Sequence, residues 1–394
     1  MRNCLSGTDS ADICKMTQDA VCMLKEMIEI PSVTFEESDV AGYLQGLFGK
    51  YAEYGEDSDS GTHIIFEVLR FGNNIAAVPL DYDKNAPTLL LNAHCDTVKP
   101  AVSYTLPPFE AIEKNGAIYG LGSNDDGGSV VALTHVFLHF CKKREELKKS
   151  SPLNIVLLVS AEEERSGKNG ISLALKELSN IGIKPDFAII GEPTGMKAAV
   201  AERGLLVIDG TSEGVSGHAA RGEGVNAIYK ALEDIEILRN FKFNKKSELM
   251  GDVRLSVTQI NAGSAHNVIP DKCTFVVDIR PTEQYTNKEI LELLQAEVES
   301  TLTPRNLSNS SSATPQDHLL MKAVKETGIE TFVSPTTSDW MKIGEIPAIK
   351  IGPGESSRSH KADEYIYIKE IESGISIYIK LIESILKSIE AYKR

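Results

Sequence analysis

The sequence predicts an α/β protein: a mixed sheet flanked by helices, interrupted by a smaller α+β domain. Three observations predict it. Short apolar runs at 87–96, 154–161 and 186–190 are each bounded by polar or turn residues, the pattern of strands buried on both faces. From about Arg203 the character changes to alternating strands and two helices, which reads as a separate α+β unit. After the linker-like stretch 306–314 the α/β character returns. The expected organisation is an N-terminal extension over 1–16, a larger domain in two parts, 17–202 and 311–394, and an inserted domain over 203–310.

Size and composition agree with this. The chain has 394 residues, enough for two domains of ordinary size. Hydrophobic residues make up 42% and charged residues 25%, as in an ordinary globular protein. The net charge of −15 argues against a nucleic-acid binder, because affinity for phosphate backbones comes from Lys and Arg. Six cysteines (4, 14, 22, 95, 141 and 273) form no CxxC pair and fit reduced thiols in a cytosolic protein. Residues 1–15 lack the apolar core of a secretory signal and read as a polar, loose extension. No apolar run reaches the roughly 18 residues of a membrane span.

Taken in order, residues 19–30 space Val21, Leu24 and Ile28 as an amphipathic helix that Pro31 stops. Thr34 and Glu37 have the spacing of a capping box for a second helix marked by Val40, Leu44, Leu47 and Tyr51. Residues 64–78 hold two strands split by Gly72-Asn73-Asn74. The segment 97–116, with Pro100, Pro107 and Pro108, is long and irregular, as functional loops often are. A short strand, 117–119, leads through Gly120-Leu121-Gly122-Ser123-Asn124-Asp125 into a helix over Val130, Leu133 and Phe137. That turn is half of a dinucleotide fingerprint but lacks the third Gly and the upstream βαβ context. His135 and His139 sit four apart on the helix without the Glu of a zincin, so they read as ordinary helix histidines.

In the inserted domain, 205–211 alternates, 216–220 is a turn and 226–241 is helical. Residues 253–260 and 273–279 read as strands, and 288–302 as a second helix. Beyond the linker, 347–351 is a strand and Gly352-Pro353-Gly354 a turn. Ile371, Ile375, Ile382, Ile385 and Ile389 mark a final helix, whose Glu370, Glu372, Lys380, Glu383 and Lys387 would be costly in lipid.

Chemistry gathers where the buried strands end, as it does at the carboxyl edge of open α/β sheets. The first run delivers His94 and Asp96, the second Glu162-Glu163-Glu164 and the third Glu192. A solvated acidic patch accounts for Glu162-Glu163-Glu164 taken alone. It accounts less well for three successive strands that each end in ligand-type side chains. Imidazole and carboxylate suit a metal such as zinc, and a ligating His needs a partner that fixes its tautomer.

In order, His94-x-Asp96, Gly120-x-Gly122-x-x-Asp125, Ala161-Glu-Glu-Glu164, Gly191-Glu192-Pro193-Thr194, Gly217-His218-Ala219 and Gly352-Pro-Gly followed by His360 form a set. The set resembles the dizinc amidohydrolase and metallopeptidase family of acetylornithine deacetylase and succinyl-diaminopimelate desuccinylase, over residues 20 to 394. Within it the chain is most similar to the acetylornithine deacetylase branch. The resemblance implies a zinc-peptidase-like mixed sheet, an inserted dimerisation or lid domain, and a homodimer. It implies two zinc ions per subunit, replaceable by cobalt, about 3.5–4 Å apart.

Carried over, Asp125 bridges, His94 and Glu192 complete the first zinc, and Glu164 and His360 the second. Asp96 orients His94, and Glu163 is the general base. The family shows Asp-Glu-Glu where this chain has Glu162-Glu163-Glu164; a shift by one would make Glu162 the base and Glu163 a ligand. His218 matches the residue that steadies the oxyanion in the partner subunit's site, and Asn267 and Arg280 match substrate-binding positions. A basic residue is common where Leu121 stands, and Gly127 replaces a usual Lys. Cys95, between His94 and Asp96, should point away from both on a strand and be buried. The implied reaction is hydrolysis of the amide bond of an N-acyl amino acid in the cytoplasm. A dipeptidase or carboxypeptidase of the same family is the alternative enzyme. A catalytically silent metal-binding relative is the alternative from another class.

Overall fold

The computed structural model describes residues 10–53, 66–144 and 152–392. The expected extension over 1–9, Cys4 and the first residues of the strand expected from 64 lie outside the described residues. The chain forms two compact units: 1–200 with 314–332 and 338–394, and 201–313 with 333–337.

The first unit is built on a mixed sheet. Its order is Phe66–Phe71, Asn74–Pro79, Asn154–Ser160, Thr88–His94, Phe187–Ile190, Ala348–Lys350 and Ala198–Glu202. The four strands from Asn154–Ser160 to Ala348–Lys350 run parallel, so their carboxyl ends share one edge. Strand side chains alternate between the two faces. Leu89, Leu91, Ile155, Leu157, Ile189 and Ile349 pack on one side with the helices Ser10–Ile28, Gly128–Lys142 and Ile368–Tyr392. Leu90, Val156, Leu158, Ala188 and Ile190 pack on the other, against the helix Ile171–Asn180 and Trp340. A strand covered on both faces must be apolar throughout, which is why these runs stand out in the sequence.

Three local expectations are corrected here. Residues 10–16 are not a loose extension: the first helix starts at Ser10, because Met16 and Thr17 continue the buried stripe of Ala20, Met23, Leu24 and Met27. It ends at Ile28, just ahead of Pro31. Thr34 and Glu37 do not form a capping box. The Thr34 hydroxyl donates to the Asp96 carboxylate at 2.9 Å, and Glu37 accepts from the Phe35 and Asn73 N–H groups.

In the second unit an antiparallel sheet runs Arg254–Ala262, Lys272–Arg280, Leu206–Glu213, Thr301–Pro304. Leu206, Ile208, Phe275, Val277 and Ile279 face a core shared with the helices Ala227–Asn240 and Asn287–Gln295. The third correction concerns the helix expected over 288–302. It stops at Gln295, whose side chain bonds the Ser300 carbonyl and the Leu302 N–H. The β-branched Thr301 and Thr303 then make an edge strand that ends at Pro304. A capping box is formed instead by Thr286 and Glu289, at the start of the helix Asn287–Gln295. The linker composition at 306–314 covers ordered backbone: Asn309 is buried, and its carbonyl accepts from the Leu205 N–H.

Candidate metal centre

The shared edge of the parallel strands assembles the site. Thr88–His94 ends in His94, level with Ser160 of its neighbour. Beyond Ser160 the chain turns through a 3-10 segment, Glu163–Arg165, and beyond Ile190 it reaches Glu192. Beyond Ala348–Lys350 a loop with its own 3-10 turn, Ser356–Arg358, leads to His360, held in a left-handed conformation at φ 59°.

Asp125 comes from the tight turn Ser123–Gly127, which feeds the helix Gly128–Lys142. Glu364 clamps that turn: its carboxylate accepts the N–H groups of Gly122, Asn124 and Asp125 at 3.1, 2.9 and 2.8 Å. Burial, with the charge of Asp125, pushes Glu364 up to about 8 against the pull of those N–H groups. The turn is crowded. A Cβ at Gly127 would meet the Gly122 carbonyl oxygen at 2.5 Å, so no side chain fits there unless the backbone shifts.

These elements bring the expected ligands together. Asp125 faces both imidazoles: Oδ1 lies 3.2 Å from His94 Nε2, and Oδ2 lies 3.7 Å from His360 Nε2. His360 Nε2 is 3.0 Å from both Glu164 carboxylate oxygens. Ligand atoms of His94, Asp125 and Glu164 lie within 4.8 Å of one another, as do those of His94, Glu163 and Glu192. Glu163 Oε2 stands 4.0 Å from His94 Nε2. Glu162 turns the other way: its carboxylate accepts the main-chain and side-chain N–H groups of Asn169 at 3.0 and 2.9 Å.

Asp96 sits beneath all of this, fully buried. Its main-chain oxygen is 2.9 Å from His94 Nδ1, while its carboxylate is 3.5 Å away. The carboxylate instead accepts the N–H groups of Glu163 and Glu164 and the Thr34 hydroxyl. Cys95 is buried in the core, where burial raises its thiol pKa far above the usual value.

The electrostatics fit a cation. Burial, with the negative charges of Glu192, Asp339 and Glu164, pushes Glu163 well above the usual carboxylate range, opposed by His94. Burial, with Asp125 and Asp126, does the same to Glu192, against the pull of Lys350. Burial would lower His94, yet Asp125, Asp96 and Glu163 hold it well above its usual value. Oxygen and imidazole donors converging at one buried edge, with carboxylates short of positive charge, match a divalent metal site. The two clusters of ligand atoms have His94 in common, and Asp125 belongs to one of them.

The other three expected residues belong to the second unit. His218 pairs with Val268 in a two-residue ladder, and its Nδ1 accepts the Ala220 N–H at 3.2 Å. Asn267 is next to that ladder, its carbonyl accepting the Ala219 N–H. Arg280 ends its strand with its guanidinium forked onto Asp278 at 2.8 and 3.1 Å. His135 and His139 are buried helix histidines, and neither joins a metal-ligand cluster among the described residues.

Sequence reasoning missed Glu364, Asp339 and Lys350. Asp339 is buried, with its carboxylate 2.5 Å from the Ser160 hydroxyl at the root of the Glu163 loop. Lys350 is a buried cation beside Glu192. The only signal for Lys350 was a charge inside a buried strand.

A family model described as peptidase family M20/M25/M40 matches residues 90–384. The chain belongs to this family. It is 26% identical over 389 residues to succinyl-diaminopimelate desuccinylase of Wolbachia pipientis wMel, covering 94% of each chain. It is 30% identical over 346 residues to acetylornithine deacetylase of Buchnera aphidicola subsp. Schizaphis graminum (strain Sg), covering 81% of this chain and 88% of that one. Among solved structures it is similar to an M20 family metallo-carboxypeptidase, Sso-CP2, from Sulfolobus solfataricus. The TM-score is 0.69 at 18% identity, over 94% of this chain and 99% of that one. The protein is a metal-dependent amidohydrolase of this family, with its mixed α/β fold. No helix among the described residues is long and apolar enough to cross a membrane.

Proposed function

We propose that this chain hydrolyses the amide bond of an N-acyl amino acid at a pair of zinc ions. The observation that carries this is Asp125, whose two oxygens each face a different imidazole, with the Glu163 carboxylate 4.0 Å from His94 Nε2. His94, Glu192 and Asp125 would hold one ion, and Glu164, His360 and Asp125 the other, with cobalt able to substitute. Bound there, the metals acidify water and polarise the acyl carbonyl.

The chain's own residues do the rest. Glu163 accepts the proton of the attacking water and returns it to the departing amine. Its raised proton affinity suits both halves of that task. Asp96 fixes the Glu163 and Glu164 main chain and the His94 tautomer. Glu162, committed to Asn169, is a poor candidate for the base. In a homodimer, His218 would donate to the developing oxyanion. Asn267 and Arg280 would bind the substrate carboxylate, which would compete with Asp278 for the Arg280 fork. Five described cysteines are free thiols, which supports a reducing, cytosolic setting.

Two substrate readings stand together, because the relatives include both a desuccinylase and a deacetylase. One is an N-acetylornithine or N-acyl-citrulline of arginine biosynthesis. The other is N-succinyl-diaminopimelate. The test is amine release by zinc-reconstituted protein from acetylornithine, acetylcitrulline, succinylcitrulline, succinyl-diaminopimelate, acetylmethionine and a simple dipeptide. Glu163→Ala runs alongside and should keep its metal while losing turnover by ~10²–10⁴-fold. Preference for the dipeptide would move the chain to the peptidase branch. Full activity in Glu163→Ala would remove Glu163 from the base position. No turnover with both metals bound would leave a silent metal binder.

A further inference from the structure

A cavity lies within the first unit, among three helices: Ser10–Ile28, Ser38–Glu53 and Gly128–Lys142. Its volume is about 690 Å³, a size that holds a small molecule. None of its lining residues takes part in the metal centre.

The first helix lines it with the charged residues Asp12, Lys15, Asp19 and Glu26. Asp19 and Glu26, seven apart, project from the same face of the first helix. Tyr43 and Tyr51 line the second helix, and the Tyr43 hydroxyl donates to Glu26 at 2.8 Å. Burial, with the charges of Asp19 and Glu26, pushes the Tyr51 phenol up to about 12.

From the third helix, His135 Nδ1 lies 2.8 Å from the Val131 carbonyl. A carbonyl only accepts, so Nδ1 carries the proton and Nε2 is left as an acceptor. His139 is nine-tenths buried, and its Nε2 meets no hydrogen-bond partner. Lys142 and Lys143, which follow these histidines in the chain, also line the cavity.

Two carboxylates and a bare imidazole nitrogen are acceptors, and their complement is a cation rich in N–H. Two ammonium groups are the complement of a carboxylate. Lys142 stands 142 − 135 = 7 residues beyond His135, roughly 10 Å along the helix. The two ends are therefore separated by an extended side chain rather than by a single α-carbon. We propose that this groove is a second ligand site for a free amino acid with a cationic side chain. The side-chain cation would sit on Asp19, Glu26 and His135, and the carboxylate on Lys142 and Lys143.

The test is calorimetric titration of the metal-loaded enzyme with lysine and arginine. Norleucine serves as the probe without the side-chain cation, and pentane-1,5-diamine as the probe without the carboxylate. Binding of lysine or arginine is expected, with each partial probe at least tenfold weaker. Asp19→Asn and Lys142→Gln are both substitutions at exposed positions on different helices. Each should weaken binding at least tenfold and leave amide hydrolysis without added ligand unchanged. Equal affinity for norleucine would overturn the proposal. So would undiminished binding in both variants, which would place the ligand at the metal centre, or no binding of either basic amino acid at millimolar concentration. A binding isotherm needs no turnover, so failure of the deacylase reading leaves this result interpretable.

Discussion

Asp96 joins the two halves of the centre through one residue. Its main-chain oxygen holds His94, and its carboxylate holds the N–H groups of Glu163 and Glu164, at 2.9 and 3.2 Å. Burial pushes its carboxyl up, but His94, the Glu163 N–H and the Thr34 hydroxyl more than offset this and keep it below its usual value. A buried N–H left without its acceptor costs about 1–3 kcal/mol. Asp96→Ala removes the acceptor for two such groups and leaves Glu163, the proposed base, and Glu164, the proposed ligand, on an untethered loop. Metal affinity should fall about 10–100-fold, as for other residues that support ligands. Turnover per bound metal should fall as well, because Glu163 loses its position. Thr34→Val removes one hydroxyl donor and should cost only about 1 kcal/mol of stability. Metal titration and kcat on the loaded variants separate the two effects. Wild-type values for Asp96→Ala would show that the loop holds itself.

At the scale of elements, the loop that carries His360 is tied down by a neighbour of that residue. Arg358 forks onto Glu370 of the final helix at 2.7 and 2.9 Å and stacks on Tyr365 and Tyr367. Lysine keeps the charge but cannot make the fork. Arg358→Lys should therefore weaken metal binding at the His360 position while His94 still binds, which a two-site metal titration resolves. The pair also carries a pH signature. Burial raises Glu370, but the Arg358 hydrogen bonds and charge bring it below 4.5. Its stabilisation is present above that value and fades as pH falls through the depressed one.

How legible each element was in the sequence follows from where its partners lie. The central strands were readable because burial on both faces leaves an apolar run that ends at the chemistry. Glu364 was not readable, because the N–H groups it clamps are 239 to 242 residues away. Asp339 is 179 residues from its Ser160. The pattern of Thr34 and Glu37 was real, but the Thr34 hydroxyl and N–H donate to Asp96 and the Thr97 carbonyl, and Glu37 accepts from Phe35 and Asn73 instead of Thr34. That Glu162 turns to Asn169, seven residues on, was likewise set by a loop contact that no local rule supplies.

For the whole molecule, the metal centre and the helix histidines pull stability in opposite directions with pH. Glu163 and Glu192 are held well above 4.5 when no cation balances them. In metal-free protein their contribution is therefore present at low pH and lost as pH rises through the raised values. His139 behaves in the reverse way. Burial, with Lys143 and Lys142, lowers it from 6.5 to about 4, so its contribution is present above 6.5 and lost as pH falls towards 4. A shift of that size sets a ceiling on the order of 3 kcal/mol. Metal-free protein should thus be most stable between these limbs, and zinc should stabilise it most at neutral pH, where the carboxylates otherwise repel. Metal binding there should also expel protons, because the ligands must be ionised to coordinate. Calorimetry of zinc binding at pH 7 in two buffers of different ionisation enthalpy would read the protons released. Urea melts from pH 4.5 to 7.5, with and without zinc, would read the stability. His139→Leu should flatten the acid limb and leave the zinc-dependent limb intact. A zinc effect independent of pH would mean that the carboxylates are already ionised in the empty site, and the electrostatic account of the cluster would fall.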